Sequence, residues 1–233
     1  MKGNDKKFWN KEYKNSEHLK LSVEPSEELV IFTNWIEKEL GRGALSMMNI
    51  LDVRCGNGRN LAYLNKEFGS SGFGYDISVE AINQAKKEYK DLTKINFETG
   101  DLRDPINQGD ETFDLVLDLM VSHHLTKEEH KKYFSEILRI MKKDGWLLWK
   151  TFLRDDDVHA KKMIRDSKAK GLSPDDNGYI HPEFGFYEYV WSEEELREYV
   201  EPYFKVHTTR RSQAHKGHGY HKRRYIVLYL ERI

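Results

Sequence analysis

Three aspartates stand at or just past the ends of short apolar runs. Asp52 closes Ile50-Leu51-Asp52, Asp76 closes Gly72-Phe73-Gly74-Tyr75-Asp76, and Asp101 follows Ile95–Thr99. A carboxylate in such a place accepts hydrogen bonds from hydroxyl and amino groups of a ligand. Between Asp52 and Asn60 runs Val53-Arg54-Cys55-Gly56-Asn57-Gly58-Arg59. Glycine lets backbone approach a ligand, because no Cβ stands in the way. A helix start just beyond presents free N–H groups and a partial positive charge. A nucleotide or a carboxylate-bearing cofactor fits that combination. A glycine turn alone is a weak signal; successive acidic strand ends strengthen it.

Elements with short connections must hold these residues. Pro25-Ser26-Glu27-Glu28 reads as a helix start with Ser26 as N-cap, and Leu29, Phe32, Ile36 and Leu40 follow at helical spacing. From Met48 strands and helices alternate. Strands are expected at 48–53, 72–76, 95–99, 113–118 and 146–152, with two more at 204–209 and 225–230. Helices are expected at 60–68, after Ser78, and after the capping box Thr126-Lys127-Glu128-Glu129. A second box, Ser192-Glu193-Glu194-Glu195, starts a later helix. Alternation of this kind predicts an α/β fold with a parallel sheet covered on both faces. Right-handed crossovers bring the strands' C-terminal ends to one edge, where the ligand crevice belongs. Residues 1–25 read as an extension packing the rings of Phe8, Trp9 and Tyr13 on the body. Residues 153–190, rich in Gly, Pro and aromatics, read as a lid or substrate wall at the ligand edge.

The 233 residues suit one domain, 1–233, with a substantial core. With 38 Lys+Arg against 39 Asp+Glu, the net charge of −1 counts against a dedicated nucleic-acid or anionic-membrane partner. The lone Cys55 forms no intramolecular disulfide and suits a reducing compartment. No apolar run is long enough to span a bilayer. The charged N-terminus, MKGNDKKFWNKEYK, lacks an apolar segment, so a cytoplasmic location is expected.

The order LDVRCGNGR, GYDIS, GDL, FDLVLDLMVSHHL, LRIMKKDGWLL resembles class I S-adenosylmethionine-dependent methyltransferases from about Pro25 onwards. FWNKEY near the start is loosely similar to the tellurite-resistance and thiopurine-type small-molecule enzymes. The resemblance implies a Rossmann-like seven-stranded sheet, doubly wound and parallel except for its last strand, 225–230, which runs antiparallel beside the fifth. It implies S-adenosyl-L-methionine as cofactor. Asp76, with Ile77 after it, would accept the ribose hydroxyls. Asp101 and Leu102 would meet the adenine. Asp52 would hold the methionyl ammonium or steady the turn. Gly56 and Gly58 would admit the cofactor, beside Asn60. Asp118, Leu119 and Met120 would lie by the methionyl segment.

One position departs from the family pattern, Asp-x-Gly-x-Gly-x-Gly: Arg54 occupies the first glycine. Its side chain could swing into solvent and leave a weakened site, pair with a carboxylate of cofactor or substrate, or fill the site of a non-catalytic relic. The expectation is crowding, in which Arg54→Gly strengthens cofactor binding.

The acceptor is less legible. Methyl transfer asks chiefly for alignment and exclusion of water, with a base for a hydroxyl or thiol nucleophile. His123 is the candidate base, and His124 reads as packing. The segment Arg210–Arg224 carries His215, His218, His221 and six basic residues, and reads as a solvated hairpin tip or as capture of an anionic substrate. Asp155, Asp157 and His159 fit no trusted metal spacing, so no metal is assigned. A small-molecule acceptor is expected. A binding domain without transfer and an RNA methyltransferase using the basic loop are the alternatives.

Overall fold

The computed structural model describes residues 4–16, 18, 21–155, 157–172, 177–212 and 223–233. Its centre is β1 (Asn49–Val53), buried from Ile50 onward. On one side lie β2 (Ser71–Asp76) and β3 (Ile95–Thr99). On the other lie β4 (Phe113–Leu119) and the long β5 (Met141–Phe152). These five strands pair in parallel. The short antiparallel pair β6 (Gly178–Ile180) and β7 (Tyr187–Tyr189) stands apart from the sheet. Beyond β5 come β9 (Tyr225–Arg232) and then β8 (Phe204–Arg211), giving the order β3-β2-β1-β4-β5-β9-β8. Only β9 runs against the rest, as the resemblance implies.

The winding reverses at β1, so its C-terminal end opens onto a crevice between the turns after β1 and β4. Helices cover both faces. One core joins α2 (Glu27–Leu40), α3 (Arg59–Phe68) and α4 (Val79–Glu88) to the sheet through Phe32, Ile36, Leu61, Ile82 and Leu148. The opposite core packs α5 (Lys127–Ile140) and α7 (Glu193–Val200) through Phe134, Ile137, Leu196 and Trp149. Of the expected caps, Thr126 accepts from the Glu129 amide and completes its box, and Ser192 accepts from the Glu195 amide while the Glu195 carboxylate accepts from Asn177 and Tyr189; Ser26 starts α2 with no side-chain cap bond.

Two regions carry more regular structure than the sequence reading assigns. The N-terminal extension forms α1 (Asn4–Lys14). The 153–190 segment contains α6 (Val158–Ala169) as well as the β6–β7 pair. Most of the Arg210–Arg224 segment, including His215, Lys216, His218, His221 and Lys222, lies outside the described residues.

Candidate functional site

A cleft of about 420 Å³ lies at the C-terminal end of β1. Asp52, Arg54, Gly56, Asn60, Asp76, Leu119 and Met120 line it. The wall opposite comes from residues not assigned to the site from sequence: Trp9 and Tyr13 of α1, Leu21 and Ser22 of the following strap, and Lys150 of β5. Aromatic content and the loose FWNKEY likeness marked α1 in the sequence, and neither ties it to the cleft.

The turn after β1 is held from below. The Cys55 amide donates to the Tyr75 carbonyl at 3.0 Å, and the Gly56 amide donates to Asp76 Oδ2 at 3.0 Å. Asp76 Oδ1 accepts from the Ser78 amide at 2.8 Å. One carboxylate thus joins the glycine turn to the start of α4, and each oxygen keeps a lone pair for a ligand. A Cβ on Gly56 would overlap the Tyr13 hydroxyl, so glycine here lets Tyr13 of α1 close over the turn.

The charges in the cleft are unusual. Burial raises the Asp52 carboxyl to about 7 against the hydrogen bond from Asn60 and the charge of Arg59, and its Oδ2 has no partner. Burial also raises Asp76, opposed by the Ser78 amide and the Arg54 charge. Arg54 does not swing into solvent: Nε, Nη1 and Nη2 are all buried, and none has a hydrogen-bond partner. Its backbone sits at φ 51°, the left-handed region that costs a side chain about 1–3 kcal/mol. That requirement explains why glycine is the family's usual residue there.

Several assignments change. Gly58 sits at φ 79° before α3, and a Cβ on it would strike the Phe97 ring at 2.6 Å, so its role is helix packing. Asp101 is drawn off the cleft by Arg103, whose backbone amide and guanidinium donate to its Oδ1 at 3.0 and 3.2 Å. Leu102 is core and Ile77 is buried beneath the turn, both off the lining. Asp118 is a structural acceptor for the Ser122 amide at 3.2 Å and the Tyr133 hydroxyl at 3.0 Å. Burial raises it to about 6.

The two histidines exchange their expected places. His124 lines the cleft, whereas His123 packs behind it on Phe152 with ring centroids 4.8 Å apart. His124 Nδ1 lies 3.2 Å from the Tyr187 carbonyl. A carbonyl only accepts, so Nδ1 carries the proton and Nε2 is the basic nitrogen. Burial, then His123 and Arg54, keep His124 neutral by pushing it well below the usual histidine range.

His123, His124 and Glu188 bring potential metal-ligand atoms within 4.8 Å of one another. Glu188 already accepts from Arg223 at 2.8 Å and from the Tyr179 hydroxyl. Burial lowers His123 first, and the positive charges of Arg223 and Arg54 lower it further. Those charges oppose a cation, and the cluster is balanced by Arg223 instead. Nor do Asp155 and Asp157 form a metal site with His159. Asp157 caps α6 through the Ala160 amide at 2.8 Å, and Asp155 Oδ2 accepts from the Glu193 amide at 2.7 Å.

Residues 50–145 match the family model described as a methyltransferase domain. Phthiotriol/phenolphthiotriol dimycocerosates methyltransferase 1 of Mycobacterium ulcerans is 27% identical over 144 residues, covering 61% of this chain and 50% of that protein. The chain thus spans about half the length of the curated relatives it matches. A SAM-dependent methyltransferase of Methanosarcina mazei superposes with a TM-score of 0.66 at 20% identity, over 81% of this chain and 93% of that one. The 1,6-didemethyltoxoflavin-N1-methyltransferase of Burkholderia thailandensis, solved with bound 1,6-didemethyltoxoflavin and S-adenosylhomocysteine, gives 0.62 at 19% identity, over 88% of this chain and 78% of that one. Residues 50–145 therefore belong to the methyltransferase domain family, and the chain around them has the class I S-adenosylmethionine-dependent methyltransferase fold.

Proposed function

We propose that the protein transfers a methyl group from S-adenosylmethionine to a small-molecule acceptor. The observation that carries this reading is the cleft at the end of β1, where the Gly56 turn, overlaid by Tyr13, meets the buried carboxylates Asp52 and Asp76. The unpartnered Asp52 Oδ2 fits an ammonium, and the free lone pairs of Asp76 fit ribose hydroxyls. When bound, the cofactor supplies an electrophilic methyl on a sulfonium. The protein's part is then alignment and dryness. Leu119 and Met120 bound the cleft on the β4 side, and Met120 is fixed by donating its amide to the Lys150 carbonyl at 2.9 Å. Trp9 and Tyr13 wall off water from α1. His124 lines the cleft with Nε2 as its proton-accepting nitrogen, a weak base because burial holds it well below the usual histidine range. His123, behind it, is a packing residue in this reading.

Small acceptors are supported by the size of the cleft, about 420 Å³, and by relatives named for small molecules. An anionic acceptor captured by the 210–224 segment has less support. Of its described cations, Arg211 pairs with Glu193 and Arg223 with Glu188, and Arg210 Nε lies 3.7 Å from Glu28, while Arg224 Nε and Nη1 are buried without a partner.

Calorimetric titration with S-adenosylhomocysteine tests the reading. Wild type should bind, and Asp76→Ala should bind about 1.5–3 kcal/mol more weakly, as for a hydrogen bond to a charged group. A melt without ligand checks that the variant is folded, since Asp76 also holds the Gly56 and Ser78 amides. Equal affinity of the two folded proteins would reject the ribose assignment.

A further inference from the structure

The cleft holds a buried carboxyl group and a buried guanidinium, two residues apart in sequence. Asp52 Oδ2 lacks a partner, and so do all three guanidinium nitrogens of Arg54. Both residues line the same cavity, yet no ion pair joins them among the described residues. Arginine cannot shed its charge. A buried guanidinium with no acceptor is an incomplete site, and the partner it matches best is a planar carboxylate bound through two parallel hydrogen bonds. Arg54 also adopts a left-handed backbone conformation at φ 51°. Strain and missing hydrogen bonds therefore coincide at one residue, a combination that persists where a ligand repays it.

We propose that Asp52 and Arg54 form a clamp for a zwitterionic α-amino acid group, with Asp52 taking the ammonium and Arg54 the carboxylate. Given the function proposed above, on which this inference rests, that group is the methionyl end of the cofactor. Arg54 is then a cofactor ligand that replaces the glycine of the family pattern, and crowding is not its main effect. The nearby charges agree. The Arg54 charge acts on Asp76, His123 and His124, but neutral histidines and a shared Asp76 leave it without a dedicated counter-ion.

The test compares two nucleosides. S-Adenosylhomocysteine carries the amino acid group, and 5′-methylthioadenosine lacks it. Both are titrated into wild type, Arg54→Gly and Arg54→Lys. Glycine accepts φ 51° without strain, so the first variant should fold, and a ligand-free melt checks it. We expect Arg54→Gly to weaken S-adenosylhomocysteine roughly 10- to 100-fold and to leave methylthioadenosine within about twofold. Arg54→Lys, which keeps charge but loses the fork, should fall between. Equal or tighter S-adenosylhomocysteine binding by Arg54→Gly would overturn the clamp in favour of crowding. Equal weakening of both nucleosides would overturn it in favour of a general role in shaping the turn. Wild-type binding of both nucleosides, indifferent to Arg54, leaves the cofactor reading standing while the clamp fails. Binding of neither by wild type rejects both.

Discussion

Asp52 shows what the site costs the fold. Its carboxyl titrates near 7 in the folded protein against an ordinary value of 3.8, first because it is buried, with Asp76 and Asp118 adding to the shift and Asn60 and Arg59 opposing it. A folded-state value above the unfolded one means that the native state holds the proton more tightly. Stability from this group is complete below about pH 4 and is lost as pH rises through 7. At about 1.36 kcal/mol per unit, the loss is roughly 4 kcal/mol in the ligand-free protein. Asp52→Asn, which does not titrate, should therefore melt higher than wild type at pH 8 and gain little at pH 4.5. The same variant should bind S-adenosylhomocysteine more weakly at pH 8. Melting curves at the two pH values check the first outcome, and a wild-type-like pH profile for the variant would exclude Asp52 as the source. Arg54 is the complementary case, a residue whose strain and unmet hydrogen bonds make sense with a ligand in place.

At the scale of elements, α1 matters more than its position near the terminus suggests. Arg103, nearly buried, holds three acids from three elements: Asp5 of α1 at 3.0 Å, Asp101 after β3 at 3.2 Å, and Glu129 of α5 at 3.0 Å. Asn10 accepts from the Ser78 hydroxyl at 2.9 Å, and Gln84 donates to the Tyr13 carbonyl at 2.6 Å. Phe8 packs on Phe184 and Phe186 of the 153–190 segment. These contacts fix Trp9 and Tyr13 over the cleft. Asp5→Ala removes one of three partners from Arg103, so about 1–3 kcal/mol should be lost. For a chain of this size that is about 2–4 °C in Tm per kcal/mol. Amides of Asn4–Lys14 should exchange faster in this variant while those of β1 and β4 stay protected. Uniform exchange across both would show that α1 is no separate unit.

At the scale of the molecule, Arg223 joins regions far apart in sequence. It precedes β9, donates to Glu188 of β7 at 2.8 Å, lies 3.8 Å from Asp157 at the cap of α6, and stacks on Phe152 at the end of β5, 3.6 Å from the ring centroid. Against burial, Arg223 keeps Glu188 below the usual carboxylate range. Arg223→Gln should thus cost about 3–5 kcal/mol, because an uncompensated buried carboxylate remains. The double change with Glu188→Gln should recover part of that loss in urea unfolding. Full additivity of the two single changes would remove the pair from the account. In the sequence this arginine belongs to a basic run that reads as a solvated tip or an acceptor site. The fold makes it a tie between the sheet, the cap of α6 and the β6–β7 pair.

The sequence alone determined the fold class, the strand spans near the crevice, the acidic strand ends and the odd residue at Arg54. Those features are local: apolar period, caps and turn chemistry act over a few residues, and right-handed crossovers bring the parallel strands' C-terminal ends to one edge, whereas the place of the antiparallel last strand was implied by the family resemblance. Asp52, Gly56 and Asp76 were legible for that reason. Tertiary structure decided which side chains face the cleft. Asp101 leaves it because Arg103 captures its carboxylate, Gly58 because Phe97 packs against it, and Asp118 because the Ser122 amide and Tyr133 hydroxyl occupy it. His124 rather than His123 enters because the 3-10 turn Ser122–His124 and the Tyr187 carbonyl fix its ring there. Trp9, Tyr13 and Lys150 join the lining through contacts between elements far apart in the sequence, which no local pattern encodes.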